Sequence, residues 1–323
     1  MKRNQIVIAL FIFIIPWQAF PQSASWFRGN THSHTTRSDG DVDPRTATAW
    51  YKSHGYHFLV LSDHNRLTNV DSCGVNPGDP FILIPGEEIT DLFGRTPVHL
   101  NAIGITEVLA PKHGKSIREV LQNNADAVQT AGALAQINHP NWKWSFDDKA
   151  IAGLRNVPLL EIYNMNKDCH NFAAGGYPGM EEIWDRLLTQ GQRIWGVMSD
   201  DTHNYTGEFT ADRANPGRGW IMVRAESLSV RAILHSLEKG DFYGTTGIVL
   251  KDVRTGPETY QIDIQPWTDA KYTTLFIGKG GRILKADYGL SASYKIQGTE
   301  GYIRAKIVAT TGEFAITQPF FLP

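Results

Sequence analysis

Short apolar runs alternate with amphipathic segments over residues 26–247 of the chain. Runs typical of buried strands occur at residues 57–62, 81–85, 98–103, 134–138, 159–163, 194–199 and 220–223. Helical spacing and capping residues predict helices at residues 43–55, 116–130, 180–190 and 227–239. The sequence Asp43-Pro44 is typical of a helix start, and Gly240 of a helix end. This alternation predicts parallel strands joined by crossover helices, in an open sheet or a barrel.

The pattern changes after about residue 250, where only strand-like segments remain. These segments are residues 260–264, 272–277, 302–308 and 315–321, with turn residues between them. We therefore predict two folded units: an α/β unit over residues 25–249 and a small all-β, β-sandwich-like domain over residues 250–323.

Residues 1–24 have the pattern of a secretory signal peptide. Lys2 and Arg3 carry positive charge, residues 6–15 are almost entirely apolar, and small residues follow. The apolar stretch is shorter than the ~20 residues that a membrane helix needs, although an uncleaved anchor is the alternative. We expect a periplasmic or secreted protein with no membrane span after cleavage. In that compartment Cys73 and Cys169 are able to pair, but sequence alone does not decide whether they do.

Composition narrows the class of protein. The chain of 323 residues has 41% hydrophobic and 20% charged residues, which excludes a disordered or collagen-like protein. A net charge of −2 gives no basic surplus for nucleic-acid binding. Two cysteines cannot build a disulfide scaffold or a four-cysteine zinc site. The eleven histidines are the unusual feature of the composition. The sequence does not predict the oligomeric state.

Six polar clusters stand at the ends of, or inside, the predicted strands. They are residues 28–40 (RGNTHSHTTRSDG), 62–65 (SDHN), 86–88 (GEE), His99, 138–140 (NHP) and 199–203 (SDDTH). Residues i and i+2 of a strand share a face, so His32 and His34 are able to converge on one ion. Parallel α/β folds gather functional groups at the carboxyl ends of their strands. Imidazole and carboxylate together suit Zn, Mn or Fe.

The order of these motifs resembles the polymerase and histidinol phosphatase (PHP) family of metal-dependent hydrolases. The order is H-x-H-T…S-D-G, S-D-H, G-E-E, H-L, N-H-P and D-x-H, and it covers about residues 26–247. The apolar leader, the residues WFRGN before the first motif and the β-rich tail resemble a secreted branch related to carbaryl hydrolases. The resemblance implies a distorted seven-stranded β/α barrel that holds two or three divalent metal ions, Zn, Mn or Fe.

The resemblance implies nine metal ligands: His32, His34, Asp39, His64, Glu88, His99, His139, Asp201 and His203. It assigns His32, His34 and Asp201 to a first ion. His139, joined by His99, belongs to a second ion, and Glu88 bridges two ions. His203, Asp39 and His64 form a third site. Many relatives carry histidine at the position of Asp39, and a hard oxygen ligand there weakens the third site or changes its metal.

Three acidic residues near these motifs leave alternatives open. Glu87 and Glu88 point to opposite faces of a strand, so only one is the bridge. Asp200 competes with Asp201 as a ligand and otherwise orients one. Asp63 precedes His64, and we interpret it as a hydrogen-bond partner, since such carboxylates commonly accompany metal-binding histidines.

The metals dictate the expected chemistry. A water that bridges two ions loses a proton near neutral pH, so the expected nucleophile is a metal-bridging hydroxide. His64 or His203, if not bound to metal, is the candidate general acid. Asp201 is the third candidate catalytic residue. Candidate substrate contacts are Arg37, Asn65, Lys143, Asn164, His170 and Arg218.

The expected function is a secreted metal-dependent phosphoesterase that acts on a small-molecule ester. A diester is slightly favoured over a monoester because few basic residues lie near the motifs in the sequence. A carboxyl- or carbamate-ester hydrolase with the same metals is one alternative. A non-catalytic metal-binding protein is the other.

Overall fold

The structure is a computed structural model that describes residues 24–322. The predicted signal peptide, residues 1–24, lies outside the described residues except for its last position. The helices are α1 (Pro44–Ser53), α2 (Ile117–Thr130), α3 (Asp148–Ile151), α4 (Met180–Thr189) and α5 (Val230–Lys239). The first nine strands are β1 (Ser25–Asn30), β2 (Phe58–Leu61), β3 (Ile82–Phe93), β4 (Thr96–Ile103), β5 (Leu134–Ile137), β6 (Leu159–Asn164), β7 (Trp195–Ser199), β8 (Trp220–Ala225) and β9 (Phe242–Thr245). The remaining strands are β10 (Leu250–Thr255), β11 (Thr259–Ile264), β12 (Tyr272–Gly278), β13 (Arg282–Tyr288), β14 (Ser291–Lys295), β15 (Tyr302–Ala309), β16 (Phe314–Thr317) and β17 (Phe320–Phe321).

Capping residues set the ends of the predicted helices. The Asp43 carboxylate accepts hydrogen bonds from two backbone N–H groups in the first turn of α1, and Pro44 occupies the first helical position. Ser229 caps α5 in the same way, and Gly240 ends it with a left-handed backbone, φ 77°. The predicted helix starts and stops are confirmed at these positions.

One large sheet runs through the molecule in the order β13-β12-β15-β16-β9-β8-β1-β2-β3-β4-β5-β6-β7, with β17 paired to β15. The pairs β1–β2, β2–β3, β5–β6 and β6–β7 are parallel, as the alternation predicted. The pairs β3–β4 and β4–β5 are antiparallel, so the prediction of uniformly parallel strands is wrong here. Strands β3 and β4 are joined by only Gly94 and Arg95, and a parallel crossover needs a dozen or more residues.

Within residues 24–322 the sheet is not closed into a barrel, which corrects the expectation of a seven-stranded β/α barrel. Strand β7 ends the hydrogen-bonded path on one side. Its Gly196 bonds to the Gln318 side chain instead: the N–H donates to Oε1 at 2.8 Å, and Nε2 donates to the carbonyl oxygen at 2.8 Å. A glutamine amide from the tail therefore takes the place of a neighbouring strand at this point.

The chain after β9 is built from strands, as predicted, but it joins the main sheet. Strand β16 pairs with β9, which continues the sheet into β15, β12 and β13. Strands β10, β11 and β14 form a separate three-stranded sheet. One apolar core includes Leu59 and Leu61 of β2 together with Ile262, Phe276 and Ile303 from the tail. An independently folding domain at residues 250–323 stays a prediction.

A buried ionic network joins the tail to α4. The Arg304 guanidinium of β15 donates to both Asp185 carboxylate oxygens, at 2.9 and 2.6 Å, and to Glu181 at 3.1 Å. The Tyr302 hydroxyl donates to Asp185 at 2.7 Å, and Lys306 pairs with Glu181. Arg304 is only 1% exposed, so its charge depends on these partners.

The structure bears on cysteine pairing and on the presence of a membrane-spanning helix. Cys73 and Cys169 are both buried and both free, so the structure contains no bond between them. None of the helices found in residues 24–322 is long and apolar enough to span a lipid bilayer.

Candidate metal centre

The candidate ligands come from segments that follow parallel strands and from the β3–β4 hairpin. His32 and His34 follow β1, His139 follows β5, and Asp201 and His203 follow β7, whereas Glu88 and His99 lie within the hairpin. His139 and Asp201 adopt a left-handed backbone, with φ of 23° and 47°. Non-glycine residues rarely do so, and such strain concentrates at functional sites.

Asp201 and the first histidine pair form the buried centre of the cluster. One carboxylate oxygen of Asp201, Oδ1, lies 3.2 Å from His32 Nε2 and 3.1 Å from His34 Nε2. The i, i+2 spacing of the two histidines therefore brings both rings to one side chain, as the sequence predicted. Both imidazoles are fully buried.

Glu88 lies between two groups of histidines. Its Oε1 is 3.4 Å from His32 Nε2, 3.1 Å from His99 Nδ1 and 3.3 Å from His139 Nε2. Its Oε2 is 3.4 Å from His34 Nε2 and 2.9 Å from His64 Nδ1. The two oxygens of one carboxylate thus face different histidines, which is the arrangement that a bridging ligand requires.

Asp39 anchors a third group at the outer edge of the cluster. Its Oδ1 lies 3.5 Å from His34 Nδ1, and its Oδ2 lies 3.5 Å from His64 Nε2 and 3.3 Å from His203 Nε2. The Asp39 side chain is 52% exposed, in contrast to the buried Asp201. The outer group is therefore open to solvent.

The donor set fits divalent metal ions. Four groups of side chains place ligand atoms within 4.8 Å of one another: His34–Asp39–His64–His203, His32–His139–Glu161, His32–His34–Asp201 and His64–Glu88–His99. Several buried atoms in them lack a hydrogen-bond partner: His32 Nε2, His34 Nε2, His99 Nδ1 and Asp201 Oδ1. Unpaired buried polar atoms are costly, and a cation would satisfy these. Imidazole with carboxylate is a set that suits Zn, Mn or Fe.

Neighbouring charges and burial shift the pKa values of the same side chains. Burial acts to raise the pKa of Glu88 and of Asp201, but neighbouring imidazoles hold both pKa values well below the usual range. Burial lowers the pKa of His34 to about 4, and the charge of His203 adds to this. Burial opposes protonation of the outer histidines too, yet the carboxylates around them raise the pKa of His64 to about 10 and of His203 to about 9. At neutral pH the two carboxylates are ionised and His34 is neutral, as metal binding requires. Burial acts to lower the pKa of His32 and of His139, but the neighbouring carboxylates raise both, so at these rings, as at His64 and His203, a metal ion competes with protons.

Glu161 is a residue that the sequence analysis missed. Its Oε1 lies 2.7 Å from His32 Nδ1, and its Oε2 accepts from the His139 backbone N–H at 2.9 Å and from Asn164 Nδ2 at 3.0 Å. Such a carboxylate fixes the ring orientation of a metal-binding histidine. The available signal was a glutamate flanked by Leu159, Leu160 and Ile162 inside the β6 segment LLEIYN.

The structure separates the acidic residues that the sequence left as alternatives. Glu87 faces away from the cluster, and its carboxylate accepts from the Leu109 N–H at 2.6 Å. Asp200 accepts from three successive backbone N–H groups, of residues 217–219, at 2.7–2.8 Å. Asp63 accepts from the Thr35 N–H at 2.8 Å and from nearby hydroxyl groups. Glu88 and Asp201 therefore enter the cluster, whereas Glu87, Asp200 and Asp63 are held by hydrogen bonds outside it.

Three candidate substrate contacts are held by intramolecular hydrogen bonds. Asn65 pairs with the Thr90 backbone through both ends of its amide. Asn164 is buried and donates to Asp201 Oδ2 at 3.2 Å, next to its bond with Glu161. The Arg218 guanidinium donates to the carbonyl oxygens of residues 210 and 213. Their predicted role in binding substrate stays a prediction.

The other three candidates present exposed side chains. Arg37 lies in the loop that carries Asp39. Lys143 places its ammonium 4.2 Å from the centre of the Trp142 ring. His170 stacks on Trp144 with ring centroids 4.4 Å apart. These side chains are accessible to a ligand, and their role also stays a prediction.

Comparison with known proteins identifies the fold. No family model and no curated protein matches the sequence. Among solved structures, the chain is similar to a two-domain protein from Bacteroides vulgatus that contains a predicted PHP-like metal-dependent phosphoesterase. The TM-score is 0.53 and the identity 17%, over 88% of this chain and 90% of that one. Because the identity is low, this likeness shows the fold alone.

Two further structures match over a smaller part of the chain. One is an amidohydrolase from Chromobacterium violaceum with bound sulfate and no metal (TM-score 0.40, identity 14%, 57% of this chain and 93% of that one). The other is a candidate metal-dependent phosphoesterase from Bifidobacterium adolescentis (TM-score 0.39, identity 15%, 58% and 89%).

Proposed function

We propose that this protein is a metal-dependent hydrolase of the PHP type that cleaves phosphate esters, with diesters preferred over monoesters. The observation that carries the proposal is the convergence of buried, unpaired ligand atoms from His32, His34 and Asp201 beside the carboxylate of Glu88. The fold shared with the Bacteroides vulgatus protein supports it. The motif order across residues 26–247 supports it as well.

The candidate metal ligands divide into a buried inner set around Glu88 and Asp201 and an outer set around Asp39. Divalent ions held by the inner carboxylates and imidazoles would polarise a phosphoryl oxygen and lower the pKa of water. Glu161 and Asn164 hold His32 and Asp201 in place. His64 and His203 lie at the solvent side, 25% and 20% exposed, and share the Asp39 carboxylate. A protonated imidazole at this edge would deliver a proton to the leaving oxygen of an ester.

The preference for a diester rests on the charges near the centre. The Arg218 guanidinium is engaged by backbone carbonyl groups, whereas the Lys143 ammonium lies on the Trp142 ring. That ring is 5.4 Å from the ring of His99 and 5.5 Å from that of His139, so Trp142 links Lys143 to the cluster. Arg37, exposed in the loop that carries Asp39, is the other candidate cation. So few cations suit a monoanionic diester better than a dianionic monoester.

Turnover of three chromogenic esters tests the proposal. Bis(p-nitrophenyl) phosphate, p-nitrophenyl phosphate and p-nitrophenyl acetate are compared with protein loaded with Zn, Mn or Fe. We expect the diester to react fastest and His139→Ala to abolish the reaction. His235→Ala, in an exposed position on α5, is the matched histidine control. Cleavage of the acetate alone, lost in His139→Ala, would replace the phosphoesterase with a carboxyl-ester hydrolase. Metal binding without turnover of any ester would favour a binding protein.

We also propose that the protein is exported, on the basis of residues 1–24. Expression of the full chain in a Gram-negative host, followed by cell fractionation and N-terminal sequencing, tests this. We expect a periplasmic product that has lost these residues. A full-length product confined to the cytoplasm would contradict the proposal.

A further inference from the structure

A cavity of about 360 Å³ opens beside the candidate metal centre. Its lining includes Trp144, Tyr163, Asn164, Cys169, His170 and Phe172. Its lining contains none of the candidate metal ligands.

Two side chains connect the cavity to the centre. Asn164 lines the cavity and donates to Asp201 and to Glu161, so one wall of the cavity is also a support of the centre. Trp142 packs on the rings of His99 and His139, and its backbone forms a β-bridge with Cys169, another lining residue. The cavity is therefore adjacent to the candidate metal centre, since the two share the Asn164 side chain.

Two exposed aromatic rings, Trp144 and His170, line the cavity, and Tyr177 packs beside Trp144; we call these three rings the aromatic platform. Trp144 and His170 are parallel, with an interplanar angle of 7° and centroids 4.4 Å apart. The Tyr177 ring centroid is 4.7 Å from that of Trp144. Although they pack on one another, Trp144 is 43% exposed and Tyr177 58%, and His170 is exposed as well. Ring faces open to solvent are surfaces on which another ring is able to stack.

The backbone below the platform is strained. Lys143 and Trp144 both adopt left-handed conformations, with φ of 52° and 55°. Two consecutive non-glycine residues in this region are unfavourable, and such strain persists where the surrounding structure imposes it. The consequence is that Lys143 lies against Trp142 near the centre, while Trp144 faces the cavity.

We propose that the aromatic platform binds an aryl or heteroaryl ring on the non-leaving side of a phosphodiester substrate. This rests on the proposed function and deepens it. In this arrangement the metal centre binds the phosphoryl group, Lys143 neutralises its negative charge, and the aromatic platform stacks on the ring. The preferred substrate is an ester that carries a flat aromatic substituent.

Three diesters with the same p-nitrophenolate leaving group test the proposal: the methyl, phenyl and thymidine-5′ p-nitrophenyl phosphates. Stacking of a ring on an aromatic side chain corresponds to roughly 10-fold in kcat/KM for the ring-bearing esters over the methyl ester. We expect Trp144→Ala to bring this ratio close to one, and Trp144→Phe to retain most of it. Trp267→Ala, at a 71% exposed tryptophan of the tail, is the matched control and should leave the ratio unchanged. A higher rate for the phenyl than for the thymidine ester identifies a simple aryl group as the occupant, and the reverse identifies a nucleoside base.

Calorimetric binding of phenylphosphonate and methylphosphonate separates failure of the platform from failure of the proposed function. Tighter binding of the phenyl compound that Trp144→Ala removes supports the platform even if no diester is cleaved, and in that case the phosphodiesterase proposal alone fails. If Trp144→Ala leaves both the binding difference and the kcat/KM ratio at wild-type values, the platform proposal is overturned. Equal binding of the two phosphonates by the wild type overturns it as well.

Discussion

Within residues 24–322, the Arg304 network and the candidate metal centre are two largely buried clusters of charged side chains, and they differ in how fully their polar atoms are paired. In the network of Arg304, Asp185 and Glu181, each charged group finds a partner of opposite sign at hydrogen-bond distance. In the candidate metal centre, Asp201 Oδ1 lies 3.1–3.2 Å from His32 Nε2 and His34 Nε2, but none of these three atoms forms a hydrogen bond of acceptable geometry within the described residues. The Arg304 network is therefore paired within the chain, whereas the candidate metal centre leaves ligand atoms available to a cation.

The difference in pairing predicts that mutations in the two clusters affect the free energy of unfolding differently. Removing one partner of a buried ion pair leaves an uncompensated charge, so the Arg304 network is sensitive to mutation through folding. Unpaired ligand atoms already cost stability in the metal-free protein, so mutations in the metal centre act mainly on metal binding and activity. Four experiments test this contrast, from the largest expected effect to the smallest.

Glu88→Gln should reduce ester hydrolysis by about 10³-fold or more, since loss of the bridging charge removes several kcal/mol of stabilisation. Steady-state kinetics of metal-loaded protein measures this. The variant keeps an oxygen for the hydrogen bond from Asn138 Nδ2, 2.8 Å in the wild type. Its metal-free form should therefore lose less stability than Arg304→Met. Activity within 10-fold of wild type would show that Glu88 is not a bridging ligand.

Arg304→Met should lower the free energy of unfolding by about 3–5 kcal/mol, because the buried Asp185 carboxylate loses its ion-pair partner and keeps the hydrogen bond from the Tyr302 hydroxyl alone. Urea denaturation measures the loss, and kcat per folded molecule should stay within about twofold of wild type. The double variant Arg304→Met with Asp185→Leu is the control, and it should recover part of the stability. An unchanged unfolding midpoint would contradict the contrast between the two clusters.

Added Zn²⁺ should stabilise the wild type by about 2.7 kcal/mol at a free concentration 100 times its dissociation constant. Thermal unfolding with and without the metal measures this. His34→Ala should lose the effect, whereas Arg304→Met should keep it despite its lower starting stability. Equal stabilisation of the wild type and His34→Ala would place the metal elsewhere.

Glu161→Gln should weaken metal affinity or activity by about 10–100-fold, as expected for a residue that orients a ligand through His32 Nδ1. Metal titration and kinetics are compared with Glu87→Gln, a buried glutamate on β3 that faces away from the centre. The control should change both quantities by less than twofold. If the two variants behave alike, Glu161 has no orienting role.

Local sequence patterns located the polar clusters of the candidate site, and the resemblance to the PHP family selected the individual residues within them. The i, i+2 spacing of His32 and His34 predicts a shared face, and Glu88 and Asp201 follow or extend apolar strands at the expected places. The structure brings all of them together. Helix ends at Asp43 and Gly240 were also predictable, because capping depends on residues within one turn.

Features that depend on pairing over long distances were not predictable. Periodicity gives the buried face of a strand but not its neighbour, so the antiparallel β3–β4 hairpin was missed, and the choice between an open sheet and a barrel was left open by the residues. Glu161 and Arg304 lie inside apolar strands, where their partners, His32 and Asp185, are 129 and 119 residues away. A single sequence shows that such a charge is unusual without showing what neutralises it.

The Gln318 side chain has a consequence for the order in which the protein is assembled. It occupies the open edge of β7 at Gly196, and β7 leads directly into the segment that carries Asp201 and His203. As the chain leaves the ribosome, that edge has no covering group until residue 318 has emerged, 122 residues after Gly196. The nascent chain therefore exposes a strand edge able to pair with other chains, and a chaperone would have reason to cover it. The strand that leads to Asp201 and His203 therefore depends on a residue that is synthesised 122 positions later.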